Sequence, residues 1–363
     1  MKLGLVLAIG ESFSDLKKHG QDTLVRDQNL KAYSKQFKKV YVFSYAKESY
    51  PLFVNNKLVT NNWHLHRYLY AILMPLLNSK EFKDCDVLRG FQTTGGIPCL
   101  LAKLLYSKPF VINYGYDYES VAKLEGKKLI ALIYRFINFI VLKFADAVIV
   151  TSPSFLKRIQ KRGVKNIHLI PNSVDINLFN SRVNKRPNEI KKIIFVGRLE
   201  PQKNLSNLLI AVKNLKYKRS LILIGEGSQK EEILQFASAN SLDVKIIDSV
   251  AHNKLPEILR SADIFVLPSF IEGHPKSLLE AMAMGLPCVG TDVEGIREII
   301  KDNETGILTG TKPKDIKKGL ENVFTDGKLA QKIGKNARLF VREHFNSSVL
   351  LAKEIKLLKS QVR

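Results

Sequence analysis

Along almost the whole chain, short apolar runs alternate with stretches whose apolar positions recur at helical spacing. Runs at residues 3–9, 40–44, 87–88, 110–113, 147–151 and 168–170 predict one series of strands. After a polar stretch the rhythm restarts at 193–196, 221–224, 244–247, 264–267 and 287–290. Strands that are apolar on both faces and separated by helices indicate parallel sheets covered on both sides. Two such series, joined by the basic stretch 182–188, predict an α/β protein with two Rossmann-like parallel-sheet domains facing a cleft. The expected bounds are 1–183 and 187–345. A final helix at 346–363, apolar at Leu351, Ile355, Leu358 and Val362, is expected to cross back onto the first domain.

Two apolar stretches need separate treatment. Residues 1–10 have a short apolar run, only Lys2 as a basic flank, and no small-residue cleavage pattern, so they read as a buried strand rather than a signal peptide. Residues 129–150 are interrupted by Arg135, Asn138, Lys143 and Asp146, short of the roughly 20 apolar residues a membrane span needs. They read as a core helix followed by a buried strand.

Composition narrows the class. The 363 residues are 45% hydrophobic and 25% charged, which fits a folded globular chain and excludes a disordered or disulfide-framed one. Cys85, Cys99 and Cys288 lie far apart, arguing against structural zinc and for a reducing, cytoplasmic setting. The formal net charge of +23 is the unusual quantity; it admits nucleic acid, an anionic membrane face or phosphorylated small molecules as partners. No recognition-helix, RRM or KH signature accompanies it, and the basic residues are spread over both halves, which disfavours nucleic acid.

The chemistry-bearing segments follow predicted strands. Gly197-Arg198, with Lys203 a few residues on, offers a guanidinium fork and an ammonium, a pairing suited to a diphosphate; a solvated basic loop is the plain alternative. Gly225-x-Gly227 sits at a strand-to-helix turn where backbone can approach a ligand closely, although ordinary turn chemistry explains it equally well. In the segment 267–287, Glu272 falls in a loop loosened by Gly273. Pro275 suits the first helical position, and Gly285 with Pro287 stops the helix. Lys276 and Ser277 then stand at a helix N-terminus able to hold an anion. Glu280, among apolar neighbours, can accept from both hydroxyls of a ribose and, if buried, requires a partner.

The segment Glu272–Glu280, with Gly273, Pro275, Leu279-Glu280-Ala281 and Gly285-x-Pro287, resembles the retaining glycosyltransferases of family 4. Further similarities are Gly197-Arg198, Lys203-Asn204, Gly225-x-Gly227 and Pro171-Asn172. The resemblance implies the GT-B fold, a nucleotide-sugar donor, no metal or other cofactor, and sugar transfer with retention. It implies that Arg198 and Lys203 hold the diphosphate, Glu280 the ribose, and Glu272 with the 273–277 loop the donor sugar. The positive charge suits an acceptor glycan or glycolipid, in cell-envelope polysaccharide, lipopolysaccharide or glycolipid synthesis, with a small soluble acceptor the alternative. A non-catalytic nucleotide-sugar-binding protein is the alternative, and a basic nucleic-acid-binding protein a more distant one.

The chain departs from the family pattern in the first domain. Only Gly10 stands where paired glycines are usual, and Tyr116 and Asp117 stand where a histidine is common, either of them a candidate hydroxyl ligand. His274 replaces a frequent aromatic and could line the sugar pocket or space the helix cap. Asp84-Cys85-Asp86 precedes a strand rather than following one, away from a ligand crevice, and is not read as a metal site. The basic sets Lys31, Lys35, Lys38, Lys39 and Lys157, Arg158, Lys161, Arg162 lie at helical spacing. They suggest docking on an anionic membrane face, each nearby cation contributing about 1 kcal/mol. That would make the protein cytoplasmic and peripheral at the inner membrane face.

Overall fold

The computed structural model describes residues 1–180 and 190–362, so the link expected at 182–188 lies outside the described residues. The chain divides into two compact units: residues 1–171 with the segment from 348 onward, and residues 172–347. The first unit thus ends at Pro171, ahead of the expected link.

The first unit is built on a seven-stranded sheet. In chain order its strands are β1 (Lys2–Val6), β2 (Lys39–Phe43), β3 (Asn56–Val59), β4 (Val87–Gly90), β5 (Phe110–Tyr114), β6 (Ala147–Val150) and β7 (Ile167–Leu169). Their spatial order is β3-β2-β1-β4-β5-β6-β7, and every neighbouring pair runs parallel. The second unit has six parallel strands: β8 (Lys191–Val196), β9 (Arg219–Ile224), β10 (Val244–Ile247), β11 (Ile264–Leu267), β12 (Cys288–Thr291) and β13 (Ile307–Thr309), ordered β10-β9-β8-β11-β12-β13. In each sheet the strand order reverses beside the first strand, between β1 and β4 and between β8 and β11. Such a reversal opens a crevice at the strands' carboxyl ends.

β6, β11 and β12 are buried along their whole length, as fully apolar parallel strands must be. Edge strands β3 and β13 escape the hydrophobic pattern because they are four and three residues long and carry Asn56, Lys57 and Thr309. The expected 87–88 strand continues through Arg89, which is buried and ion-paired with Glu354 of the closing helix Ser347–Ser360; the Tyr33 hydroxyl donates to the same carboxylate at 2.7 Å. That helix therefore belongs to the first unit.

One expectation is reversed. The helix Lys128–Phe144 is no core helix: it buries only Ala131, Asn138, Val141 and Leu142 and exposes much of its apolar surface. A helix apolar on all sides reads as buried whichever faces are covered. Among the described residues no helix is long and apolar enough to cross a membrane.

Candidate active site

The second sheet gathers three loops at the carboxyl ends of the adjacent strands β9, β8 and β11. After β8 come Gly197 and the exposed Arg198, then a turn of 3-10 helix, Pro201–Lys203. This turn is stitched to the loop after β11: the Phe270 N–H donates to the Gln202 carbonyl at 2.8 Å, and Asn204 Nδ2 donates to the Pro268 and Thr311 carbonyls at 2.9 Å each. Held in this way, the Lys203 ammonium lies 2.6 Å from Glu272 Oε1, and the Ser269 hydroxyl donates to the same oxygen at 2.7 Å. Both members of the ion pair are largely buried.

The Gly225-x-Gly227 turn after β9 lies directly against the loop after β8. A Cβ at Gly225 would stand 2.0 Å from the Gly197 carbonyl oxygen, and one at Gly227 2.3 Å from that of Leu199. Close backbone approach therefore requires both glycines.

The loop carrying Glu272 is fixed from below. A Cβ at Gly295 would sit 2.3 Å from the Gly273 carbonyl oxygen, the Thr291 hydroxyl donates to the Ser269 carbonyl at 2.6 Å, and Asn172 Nδ2 donates to the His274 carbonyl at 2.6 Å. The His274 ring turns inward, away from the loop's surface. It is buried, its centroid 5.3 Å from that of Phe345, and burial pushes its pKa down to about 3. Pro275 is the residue capping the helix Lys276–Ala283, one position before the first-turn place the sequence suggested. Lys276 and half-buried Ser277 open that helix; burial lowers the Lys276 pKa and Glu280 opposes the shift.

Glu280 is buried and has found the partner its position demands: its Oε1 is 2.8 Å from His252 Nε2. The four residues expected to form one cradle are thus arranged as the Lys203–Glu272 pair, the separate Glu280–His252 pair, and Arg198 exposed on the β8 loop.

The first-unit candidates are placed differently. Gly10 turns the chain after β1 with φ +82°, and a Cβ there would meet Arg67 Cδ at 2.9 Å. Asp117 caps a helix: its carboxylate accepts from the Ser120 N–H at 3.1 Å and the Ser120 hydroxyl at 2.6 Å and is ion-paired with Arg158. Tyr116, half-buried beside it, stacks edge-on with Tyr118. Asp84 is bound to Lys2 and Tyr41, and Asp86 accepts the Lys2 N–H, so this pair secures the start of β1. Among the described residues, no group of three or more His, Cys, Asp or Glu side chains could hold a metal ion.

Two family models match this chain in sequence: "Glycosyl transferases group 1" over residues 177–340 and "Glycosyltransferase Family 4" over residues 31–178. The chain belongs to the group 1, family 4-like glycosyltransferases. Relatives of this glycosyltransferase include the UDP-Gal:α-D-GlcNAc-diphosphoundecaprenol α-1,3-galactosyltransferase of Escherichia coli, 27% identical over 76% of this chain and 74% of the relative. Another is the N,N'-diacetylbacillosaminyl-diphospho-undecaprenol α-1,3-N-acetylgalactosaminyltransferase of Campylobacter jejuni, 27% identical over 82% and 80%. The fold is that of sucrose-phosphate synthase from Thermosynechococcus elongatus, with TM-score 0.83, 18% identity, and coverage of 99% of this chain and 98% of the other. The glycosyltransferase accordingly has the GT-B fold, two parallel α/β units.

One residue of the site escapes sequence reasoning, and so do the contacts of two others. His252 is a lone histidine in the 3-10 turn His252–Lys254, outside any motif. Ser269 acts on Glu272 across a loop whose curvature the sequence does not specify. Gly295 lies in the helix Glu294–Arg297, and only a third dimension shows that the Glu272 loop rests on it.

Proposed function

We propose that this glycosyltransferase moves a sugar from a nucleotide-diphosphate-sugar donor to a hydroxyl of a lipid-linked or polysaccharide acceptor, with retention at the anomeric carbon and without a metal. The observation carrying this reading is the Lys203–Glu272–Ser269 cluster, placed with the Gly225 turn at the carboxyl ends of β8, β9 and β11. Arg198 and Lys203 take the diphosphate, whose growing negative charge they disperse as the bond to the anomeric carbon breaks. Glu280, oriented by His252, accepts from the ribose hydroxyls. Glu272 orients the sugar and stabilises positive charge building on it. The new bond forms from the acceptor oxygen on the face the diphosphate leaves, and the departing phosphate oxygen takes the acceptor proton.

The undecaprenyl-diphosphate acceptors in the names of the two relatives support a lipid-linked acceptor, and the UDP-Gal named for one supports a nucleotide-sugar donor. A thermal-shift panel of nucleotide sugars identifies the donor, and NMR of the glycosylated product reads the anomeric configuration. A stabilising donor with retained configuration is expected. No stabilisation by any nucleotide sugar, or an inverted product, overturns the reading.

A further inference from the structure

Three neighbouring helices of the first unit leave a broad apolar face in water. Helix Gln92–Tyr106 packs between Arg67–Leu77 and Lys128–Phe144. On the last of these Phe136 is 64% and Phe139 58% exposed, with Leu129 and Leu132 beside them; on helix 67–77 Ile72 is 55% exposed, with Tyr68 and Leu76 alongside. Large apolar side chains left exposed in this number on neighbouring helices point to an interaction site.

The charges on these helices select the occupant. Helices 67–77 and 128–144 contain no Asp or Glu, while Arg67, Lys128, Arg135 and Lys143 are all exposed. At 100° per residue, Lys128, Arg135 and Lys143 share one arc of about 100° with Leu132, Phe136 and Phe139, beside the buried stripe of Ala131, Asn138, Val141 and Leu142. The Lys143 ammonium lies 5.7 Å from the Phe139 ring centroid. Lysines set among exposed aromatic and aliphatic side chains are depleted from protein interfaces and favoured on helices lying in a lipid headgroup layer, where the stem lies in the apolar zone and the cation reaches phosphate.

The inner side of helix 128–144 leads to the strand ends. Tyr134 of helix 128–144 stacks on Tyr118 at 5.0 Å between centroids, and Tyr118 meets Tyr116, in the loop after β5, at 4.7 Å. Arg67, at the start of its helix, covers Gly10 after β1. The basic clusters singled out in the sequence are less suited to this work. Helix Lys31–Ser34 ends before Lys35 and Lys39 lies in β2, while Arg158 and Arg162 are paired with Asp117 and Glu119.

We propose that the exposed face of helices 67–77 and 128–144 docks on an anionic bilayer. The link to a lipid-borne acceptor rests on the function proposed above; the docking itself does not.

The full chain is sedimented with vesicles of phosphatidylglycerol and phosphatidylcholine, and with phosphatidylcholine alone, at low and physiological salt. The expected result is capture by the anionic vesicles, lowered about tenfold by Phe136→Ser/Phe139→Ser and by Arg135→Glu/Lys143→Glu, and unchanged by Lys31→Glu/Lys35→Glu. Thermal melting confirms that each variant is folded, and the two pairs alter different chemistry, so one unfolded variant leaves the other decisive. Absence of capture, or capture that both pairs leave intact, overturns the proposal. A concentration-dependent dimer abolished by the phenylalanine pair, without vesicle binding, assigns the face to a second copy and also overturns it. Donor hydrolysis without vesicles is read in parallel: vesicle capture with no donor turnover leaves the docking standing and removes the functional reading instead.

Discussion

His252 Nε2 and Glu280 Oε1 are 2.8 Å apart in a buried pair that joins the 252–254 turn to the helix 276–283. The imidazole ring is also held by Phe179, at 5.2 Å between centroids. A buried carboxylate without a donor is costly, and here one oxygen is secured by a ring that packing has already oriented.

In the proposed function this makes His252 a positioning residue for the ribose ligand. His252→Ala is expected to raise the donor KM by a factor of about 10–150 with kcat little changed, a loss of roughly 1.5–3 kcal/mol for a buried hydrogen bond to a carboxylate. His252→Gln, which keeps a donor, is expected to recover part of the affinity. Steady-state kinetics with varied donor decides it: a fall in kcat at constant KM contradicts the assignment.

How far this site was legible in the sequence depended on whether each residue's partner was local. Glu272 in a loop, Glu280 on the following helix, and glycines after β8 and β9 are consequences of strand, turn and helix signals within a few residues. The inner strands of both parallel sheets followed for the same reason, and the edge strands β3 and β13 did not. The His252–Glu280 and Arg89–Glu354 pairs bridge distant segments, and nothing in either segment announces the other. His274 was left between two readings by the sequence, because what its ring packs on, Phe345, lies far along the chain. Helix 128–144 failed because apolar character shows that a surface avoids water without showing what covers it.

Lys203 bears on the chemistry itself. In its proposed role it stabilises charge that develops on the leaving diphosphate, so Lys203→Ala is expected to lower kcat by a factor on the order of 10²–10³. The substitution also leaves Glu272 with the Ser269 hydroxyl alone on Oε1. Donor KM should change less than kcat. Transfer assays at saturating donor check this, and a variant defective only in KM removes Lys203 from the reacting centre.

Arg89 and Glu354 test the packing of the closing helix. Both are buried, with Tyr33 donating to the same carboxylate, and removing one partner strands the other's charge. Glu354→Ala is expected to destabilise the first unit by about 3–5 kcal/mol. The single tryptophan, Trp63, lies in that unit, so urea unfolding followed by its fluorescence isolates the effect. The double variant Arg89→Met/Glu354→Leu is expected to regain much of the loss because no charge is left uncompensated. A double variant as unstable as the sum of the two single ones would contradict that account.

His274 gives the second unit a pH dependence of known sign. Its folded pKa of about 3 lies below the ordinary histidine value of 6.5, because burial disfavours the imidazolium. Below about pH 6.5 the unfolded chain therefore binds a proton that the folded chain refuses. The contribution is fully present above that pH and is lost as the pH falls towards 3, at up to about 1.4 kcal/mol per pH unit. His274→Leu removes the titrating group while keeping an apolar side chain against Phe345. Calorimetric melting between pH 7 and pH 4.5 is expected to show a shallower fall in Tm for the variant than for the parent. Parallel curves would mean that the ring takes up its proton in the folded state as readily as in the unfolded one.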